Sequence, residues 1–183
     1  MALVGAPFTF ERFMAACTTI RPLTGADLPS LAAMLYEAAS VEPAVRALGP
    51  AHALALPFLA RHLRDWGRGG DDGVIALGAD GTPLGAAWYR LYPVAERGLG
   101  VLAWPGVPEV TLGVRADQRG RGLGGAFLTG LKVIARKRGY RRLVVCPERG
   151  MASARFYRRH GFDDVAAGDG SPSGGRVMAA EID

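Results

Sequence analysis

The sequence has 183 residues, a length typical of one domain that can bury a hydrophobic core of its own. It is 49% hydrophobic and 21% charged, which predicts a globular protein, and no apolar stretch approaches the roughly 18 residues of a membrane span. Two cysteines without CxxC spacing and three histidines indicate neither a disulfide framework nor a metal site, and they favour a reducing, cytoplasmic location.

Residues 1–17 do not have the pattern of a secretory signal. A basic start is missing, and Glu11 and Arg12 stand where a signal peptide would be apolar. We therefore predict an N-terminal extension that need not be ordered, followed by one domain over residues 18–183.

The first half of that domain contains alternating strand patterns and two helical ones. Residues 18–23 predict a strand, and a capping signal from Thr24 to Asp27 precedes a helix with apolar residues at helical spacing. A second helical stretch is predicted over about residues 54–66, broken or delayed by Pro57, and His52 and His62 are expected at ordinary surface or interhelical positions. Apolar runs over 74–77 and 84–91, joined by Asp80-Gly81, predict an antiparallel hairpin.

The second half is organised around a central strand over residues 110–114, a glycine-rich loop and an amphipathic helix. That helix has its apolar stripe from Leu123 to Ile134 and ends at Gly139. Further strands are predicted over residues 142–146 and 176–182. Together these elements indicate a mixed α/β layer built on a mostly antiparallel sheet.

The loop before this helix has the composition of an anion-binding site. Glycine adopts positive φ at little cost, and the first turn of a helix leaves backbone N–H groups unpaired at its positive end. Those amides and two guanidinium groups are expected to converge on an anion. The loop reads Gln118-Arg119-Gly120-Arg121-Gly122-Leu123-Gly124-Gly125.

The glycines of this loop also have to be compared with two nucleotide-binding motifs, the dinucleotide-binding motif and the P-loop. Gly120, Gly122 and Gly125 formally satisfy G-x-G-x-x-G, and Glu148 lies at about the distance of a ribose-binding acid. However, five residues separate Val114 from the first glycine, and only 58 residues follow Gly125, too few for the remaining strand–helix units of a dinucleotide fold. A P-loop is excluded because no Lys-Ser/Thr follows the glycines.

The net charge of +5 is concentrated near the same loop. Nine of the 22 basic residues lie between Arg115 and Arg142, against one acidic residue, Asp117. Charge gathered around one loop favours a compact phosphorylated ligand over nucleic acid, because aromatic stacking platforms are not interleaved with it.

The motif Arg119-x-x-Gly122-x-Gly124, between a predicted strand and a predicted helix, resembles a motif of the GNAT superfamily of N-acetyltransferases. In that family an Arg/Gln-x-x-Gly-x-Gly/Ala turn binds the pyrophosphate of acetyl-coenzyme A. The run from Ser153 to Phe162 is similar to a later family helix that ends in Tyr-x-x-x-Gly-Phe. Strong similarity covers about a third of the chain. One position departs from the pattern: Gly150 stands where the family often has Asn.

This resemblance implies a three-layer αβα fold of the α+β class, in which the central strand splays from its neighbour. The cofactor's pantetheine arm would pair with the exposed backbone of Leu112, Gly113 and Val114. Arg119 to Gly125 would hold the pyrophosphate, with Ser153 and Phe156 beside the cofactor. Trp66, Trp88, Tyr89, Tyr92 and Trp104 would be candidates to line the acceptor pocket, with core packing as the alternative for each.

The implied reaction is direct acetyl transfer from acetyl-CoA to a primary amine on a small molecule or a peptide N-terminus. The Leu112 amide would stabilise the oxyanion, and Tyr157 would protonate the leaving thiolate. Glu109, at the mouth of the central strand, is the first candidate for the base, directly or through water, with an exposed strand-end carboxylate as the alternative. Cys146 is predicted to be a buried, inert thiol.

Two other classes of function stay open on the sequence. A catalytically silent acyl-CoA-binding regulatory domain would keep the loop without positioning Tyr157, and an NAD-binding oxidoreductase would use the formal glycine motif. No metal, nucleic-acid or membrane partner is predicted, and a homodimer is left open.

Overall fold

The computed structural model describes residues 19–93, 105–147, 151–165 and 176–182. Within them, seven strands form one sheet in the order β1-β2-β3-β4-β5-β7-β6. The strands are β1 Thr19–Pro22, β2 Asp72–Leu77, β3 Pro83–Arg90, β4 Glu109–Val114, β5 Arg142–Val145, β6 Asp163–Val165 and β7 Val177–Glu181.

Five helices accompany this sheet in the described part of the chain. They are α1 Leu28–Ala39, α2 Pro43–Ala55, α3 Pro57–Ala60, α4 Leu123–Lys137 and α5 Met151–Arg159. Short 3₁₀ turns over Gly25–Asp27 and Ala116–Gln118 lead into α1 and into the glycine-rich loop.

Alternating side chains on the central strands produce two cores on opposite faces of the sheet. On one face, Val74, Ala87 and Val110 belong to a cluster with Phe127 and other residues of α4 and α5. On the other face, Ile75, Ala86 and Trp88 pack with residues of α1, α2 and α3. The predicted three-layer α+β fold is confirmed.

The sheet opens between its two central strands. β3 and β4 pair antiparallel at six positions, from Gly85 opposite Val114 to Arg90 opposite Glu109. The parallel neighbours β4 and β5, in contrast, pair only where Glu109 lies opposite Val144. All other neighbouring strands in the described ranges are antiparallel. The predicted splay and the mostly antiparallel character of the sheet are therefore confirmed.

The helices between β1 and β2 differ from the prediction. α2 was not predicted, and its helical geometry is interrupted at Gly49, whose φ of 70° precedes Pro50. The helical stretch predicted over 54–66 is interrupted at Leu56, just before Pro57, as expected, but its predicted end is wrong, because α3 ends at Ala60 and residues 61–67 form turns. The extension predicted for residues 1–17 lies outside the described residues.

Candidate active site

The glycine-rich loop joins β4 to α4 and requires two left-handed residues. Gly120 has a φ of 74°, and Gly122, which caps the N-terminus of α4, has a φ of 88°. A side chain is strained in this region, so the sequence needs glycine at both positions. The first turn of α4 contains no acidic residue, and its free amides therefore face the loop without a carboxylate to compete for them.

The two glycines inside the first turn of α4 serve helix packing. A Cβ at Gly124 would lie 2.9 Å from the Phe156 ring, and one at Gly125 would lie 2.8 Å from the His160 ring. Those two rings contact each other, with centroids 4.8 Å apart. The predicted cofactor residue Phe156 is thus brought directly against the start of α4.

The two predicted guanidinium groups of the loop differ in their surroundings. Arg119 Nε donates to the carbonyl oxygen of Val114 at 3.0 Å, and its Nη2 donates to the carbonyl and to the carboxylate of Glu37 at 2.8 and 3.1 Å. Arg121 is exposed. The structure therefore directs the Arg119 side chain toward α1.

β4 presents its two faces to different layers. The side chains of Leu112 and Val114 pack against the core that contains α4, whereas a Cβ at Gly113 would come within 2.0 Å of the Met34 carbonyl oxygen in α1. The close approach that Gly113 permits is therefore that of a helix. Its backbone, like that of Leu112, lies where β4 has already separated from β5.

Tyr157 lies in the core on the α4 side of the sheet. It is 7% exposed, and its ring forms edge contacts with Phe156 and Phe162 at centroid distances of 5.1 and 5.5 Å. Ser153 is half-buried one turn earlier on the same helix. Gly150 and Glu148 lie outside the described residues.

Glu109 is a buried carboxylate at the start of β4. It is 4% exposed and forms an ion pair with Arg61, which is itself 7% exposed. Burial raises the pKa of Glu109, against the opposing charge and hydrogen bond of Arg61. The Arg61 guanidinium also lies 4.1 Å from the centroid of the Tyr92 ring. An exposed strand-end carboxylate, the alternative considered for Glu109, does not describe this residue.

His62 joins the same cluster, which sequence reasoning missed. Its Nδ1 lies 2.9 Å from the Thr111 hydroxyl and 3.3 Å from the Tyr92 hydroxyl. Burial, together with the charges of Arg61 and Arg90, lowers the pKa of His62 to about 3, so the imidazole is neutral at physiological pH. The alternation of Glu109 and Thr111 on one face of a buried strand is the sequence signal that a polar partner was needed there.

A fully buried ion pair supports this cluster from behind. Arg90 binds both carboxylate oxygens of Asp71, at 3.0 and 2.9 Å, and both side chains are almost completely inaccessible. The same guanidinium donates to the carbonyl oxygens of Arg61, Arg64 and Asp65. Residues 61–71, which contain no regular helix, are therefore held over the end of β3 and the start of β4.

The remaining candidate residues divide between the hydrophobic core and the polar cluster. Cys146, predicted to be buried, is only half-buried. Desolvation first, and then the neighbouring Glu109, raises the pKa of its thiol to about 12, which keeps it protonated. Trp88 and Tyr89 are core residues, Tyr92 belongs to the polar cluster, and Trp66 makes an edge contact with Trp88. Trp104 lies outside the described residues.

The described ranges contain no group of three or more potential metal-binding side chains. Among the helices seen there, none combines the length and the apolar character that crossing a bilayer would take.

Solved structures support the fold at low sequence identity. A phosphinothricin acetyltransferase from Sinorhizobium meliloti, in complex with AcCoA, is 21% identical, with a TM-score of 0.62 over 92% of this chain and 89% of that one. A GNAT-family acetyltransferase from Staphylococcus aureus is 13% identical, with a TM-score of 0.64 over 90% and 100%. PaiA N-acetyltransferase from Thermoplasma acidophilum, in complex with coenzyme A, is 15% identical, with a TM-score of 0.58 over 89% and 99%.

No protein with a curated description matches the sequence. The sequence profile described as "Acetyltransferase (GNAT) family", however, matches residues 35–162, which is more than half of the chain and includes β4, the glycine-rich loop, α4 and α5. The resemblance noted in the loop and in the later aromatic helix therefore extends through the whole centre of the fold, and the chain belongs to the GNAT acetyltransferase family.

Proposed function

We propose that this protein transfers an acetyl group directly from acetyl-CoA to a primary amine. The observation that carries the proposal is the opening between β4 and β5, which has the glycine-rich loop at one end of β4 and a buried carboxylate at the other. A strand edge without a partner offers backbone groups to an extended ligand, and the start of α4 offers amides to its phosphates.

The proposed cosubstrate site follows β4 into the loop and across to α5. The backbone of Leu112, Gly113 and Val114 would pair with the pantetheine arm, and the loop from Arg119 to Gly125 would surround the pyrophosphate. Phe156 and Ser153 would close the site from α5. The contact of Phe156 with Gly124 supports this arrangement, because it places α5 directly beside the anion-binding turn.

The chemistry requires three groups around the thioester. The Leu112 amide would donate to the developing oxyanion, and the Tyr157 hydroxyl would give its proton to the sulfur as the C–S bond breaks. Glu109 would take the proton that the attacking nitrogen releases. Its raised pKa supports this role, because a base works best when its pKa lies near the working pH.

Glu109 and Tyr157 lie on opposite sides of the sheet. Tyr157 belongs to the core that contains α4, and Glu109 faces Arg61 beyond α3. The two faces adjoin at the opening between β4 and β5, so an amine arriving from the Glu109 side would meet a thioester lying along β4. His62, Thr111 and Tyr92 would then line the acceptor side.

Two other functions predict different ligands. A silent acyl-CoA-binding domain would bind acetyl-CoA without turnover. An oxidoreductase would prefer NAD, but the sheet of the described residues is antiparallel except at β4–β5, unlike a doubly wound parallel fold.

A thermal-shift comparison of acetyl-CoA, NAD and ATP tests the cosubstrate. At about 100 times its Kd a ligand adds roughly 2.7 kcal/mol of stability, so acetyl-CoA should raise Tm by about 5 to 10 °C in a protein of this size. A shift with NAD alone would contradict the proposal.

Release of free coenzyme A with a panel of amines tests turnover. The panel should contain amino acids, phosphinothricin, small amines, aminoglycosides and peptides with a free N-terminus. Binding of acetyl-CoA without amine-dependent thiol release for any member would favour the silent domain.

A further inference from the structure

Arg119 belongs to the glycine-rich loop, yet the hydrogen bonds of its side chain lead to other elements. It reaches β4 at the Val114 carbonyl and α1 at Glu37. These contacts connect the loop and the adjacent end of the splayed strand to the last turn of α1, which is 82 residues away in the sequence.

Both carbonyl groups that Arg119 binds stand where regular structure ends. Glu37 lies in the last turn of α1, where carbonyl oxygens have no intrahelical donor and a cation is favoured by the helix dipole. Val114 is the last residue of β4, on the strand that has separated from β5. Arg119 therefore caps a helix and a strand at once.

The geometry of the guanidinium leaves Nη1 as the one nitrogen of Arg119 that is directed neither to Val114 nor to Glu37. Nε and Nη2 are directed to the carbonyls of Val114 and Glu37 and to the Glu37 carboxylate. Bidentate recognition of phosphate needs two adjacent N–H groups, and the Nε–Nη2 edge is already occupied.

A second contact shows that α1 and β4 form one unit at this point. Gly113 allows the Met34 carbonyl of α1 to approach so closely that a Cβ would lie 2.0 Å from it. The loop that follows β4 therefore has a firm surface on which to be held.

We propose that Arg119 is a positioning residue for acetyl-CoA: it latches the glycine-rich loop to α1, with Glu37 as its anchor, and does not contact the phosphates with its side chain. This inference rests on the proposed function. It also assigns a role to Glu37, whose negative charge beside a phosphate site would otherwise oppose binding. Because the latch occupies the Val114 carbonyl oxygen, Val114 would offer pantetheine only its backbone N–H.

The test separates the charge of Arg119 from its shape. Arg119→Lys keeps the positive charge but cannot reproduce three directed hydrogen bonds, while Arg119→Gln removes the charge as well. Arg138→Lys and Arg138→Gln are the controls, because Arg138 is an exposed, ion-paired arginine at the end of α4 away from the loop. The measurements are the Kd of acetyl-CoA by calorimetry at two salt concentrations and the Tm of the ligand-free protein.

The latch predicts that both Arg119 variants bind acetyl-CoA about three- to tenfold more weakly, as the loss of about one hydrogen bond implies. It also predicts that both melt about 2 to 5 °C lower without ligand. Both Arg138 variants should stay close to wild type in both measurements, because an exposed ion pair contributes little to stability. Wild-type affinity in Arg119→Lys, with weaker and less salt-dependent binding in Arg119→Gln, would show a direct phosphate contact and overturn the inference. Wild-type affinity in both Arg119 variants would overturn it too.

Glu37→Gln tests the anchor without any ligand. Its effect on the Tm of the ligand-free protein should disappear in the Arg119→Gln background, because the two side chains act as a pair. Equal effects in both backgrounds would contradict the latch. If the wild-type protein fails to bind acetyl-CoA at all, the proposed function fails, and this coupling still reports whether the latch exists.

Discussion

The Tyr157 hydroxyl is the group we expect to be needed for turnover and little needed for binding. Its ring is packed between Phe156 and Phe162, so Tyr157→Phe keeps the packing and deletes one oxygen. We expect kcat and kcat/KM to fall together by about 10² to 10⁴, as for a general acid acting in the transition state. Steady-state kinetics checks this, with the Kd of acetyl-CoA as control. Normal turnover would reduce Tyr157 to a packing residue.

Glu109 should determine the acidic limb of the pH–rate profile. Burial raises its pKa, and only the ionised carboxylate accepts a proton, so wild-type kcat/KM should rise with pH through that raised pKa. In Glu109→Gln the profile should follow only the ionisation of the amine. We expect the loss, about 10² or more, to be greatest between the two pKa values.

This variant needs a control for folding, because Glu109→Gln leaves Arg61 buried without its counter-charge. Its circular-dichroism spectrum and its Kd for acetyl-CoA should match those of the wild type. A pH profile parallel to that of the wild type would remove Glu109 as the base.

At the scale of elements, the turn into α4 depends on a left-handed residue at Gly122. Gly122→Val combines a strained backbone at φ 88° with a branched side chain where phosphate oxygens would approach. We expect the Kd of acetyl-CoA to rise by at least about tenfold, or about 1.4 kcal/mol. Gly122→Asn is the matched variant, because Asn tolerates this conformation, and it should bind better than the Val variant. Unchanged calorimetric Kd values in a folded Val variant would refute the loop assignment.

The irregular segment over residues 61–71 depends on a different kind of support. Asp71→Asn leaves the Arg90 guanidinium, with 0% of its surface exposed, without a negative partner. Removing one member of a buried ion pair typically costs about 3 to 5 kcal/mol, which urea unfolding would measure. Asp117→Asn, which breaks the exposed pair with Arg115, should leave the unfolding midpoint close to that of the wild type. Equal costs would mean that Arg90 finds other partners.

At the scale of the whole molecule, local patterns predicted the elements that are locally determined. Asp80-Gly81 identified the β2–β3 hairpin, and the apolar stripe with Gly139 identified α4 and its end. The loop glycines were identified too, although packing against Phe156 and His160 accounts for Gly124 and Gly125. The hairpin and the end of α4 depend on neighbours within a few residues, so a local pattern in the sequence identifies them, whereas the packing of Gly124 and Gly125 depends on the distant α5 region.

Features that depend on contacts between residues far apart in the sequence could not be predicted from local patterns. The predicted helix over 54–66 is too long because Arg90, far along the chain, captures the carbonyls of Arg61, Arg64 and Asp65. His62 has no local pattern that marks it, because its partner Thr111 is 49 residues away. The splay itself came from the family resemblance, since no local signal distinguishes an open strand pair from a closed one.

The opening in the sheet also divides the molecule for folding. Strands β1 to β4 pair with neighbours in antiparallel order, and β5, β7 and β6 form a second ladder, with Glu109–Val144 as the pair that joins them. Two ladders joined so narrowly can open as separate cooperative units. Native-state hydrogen exchange should then give different opening free energies for the amides of β3 and of β7. A ligand bound between β4 and β5 would bridge the ladders and bring these energies closer together. Acetyl-CoA should therefore make the unfolding of the whole sheet more cooperative. Identical opening free energies in both ladders before ligand is added would show that the single strand pair already couples them.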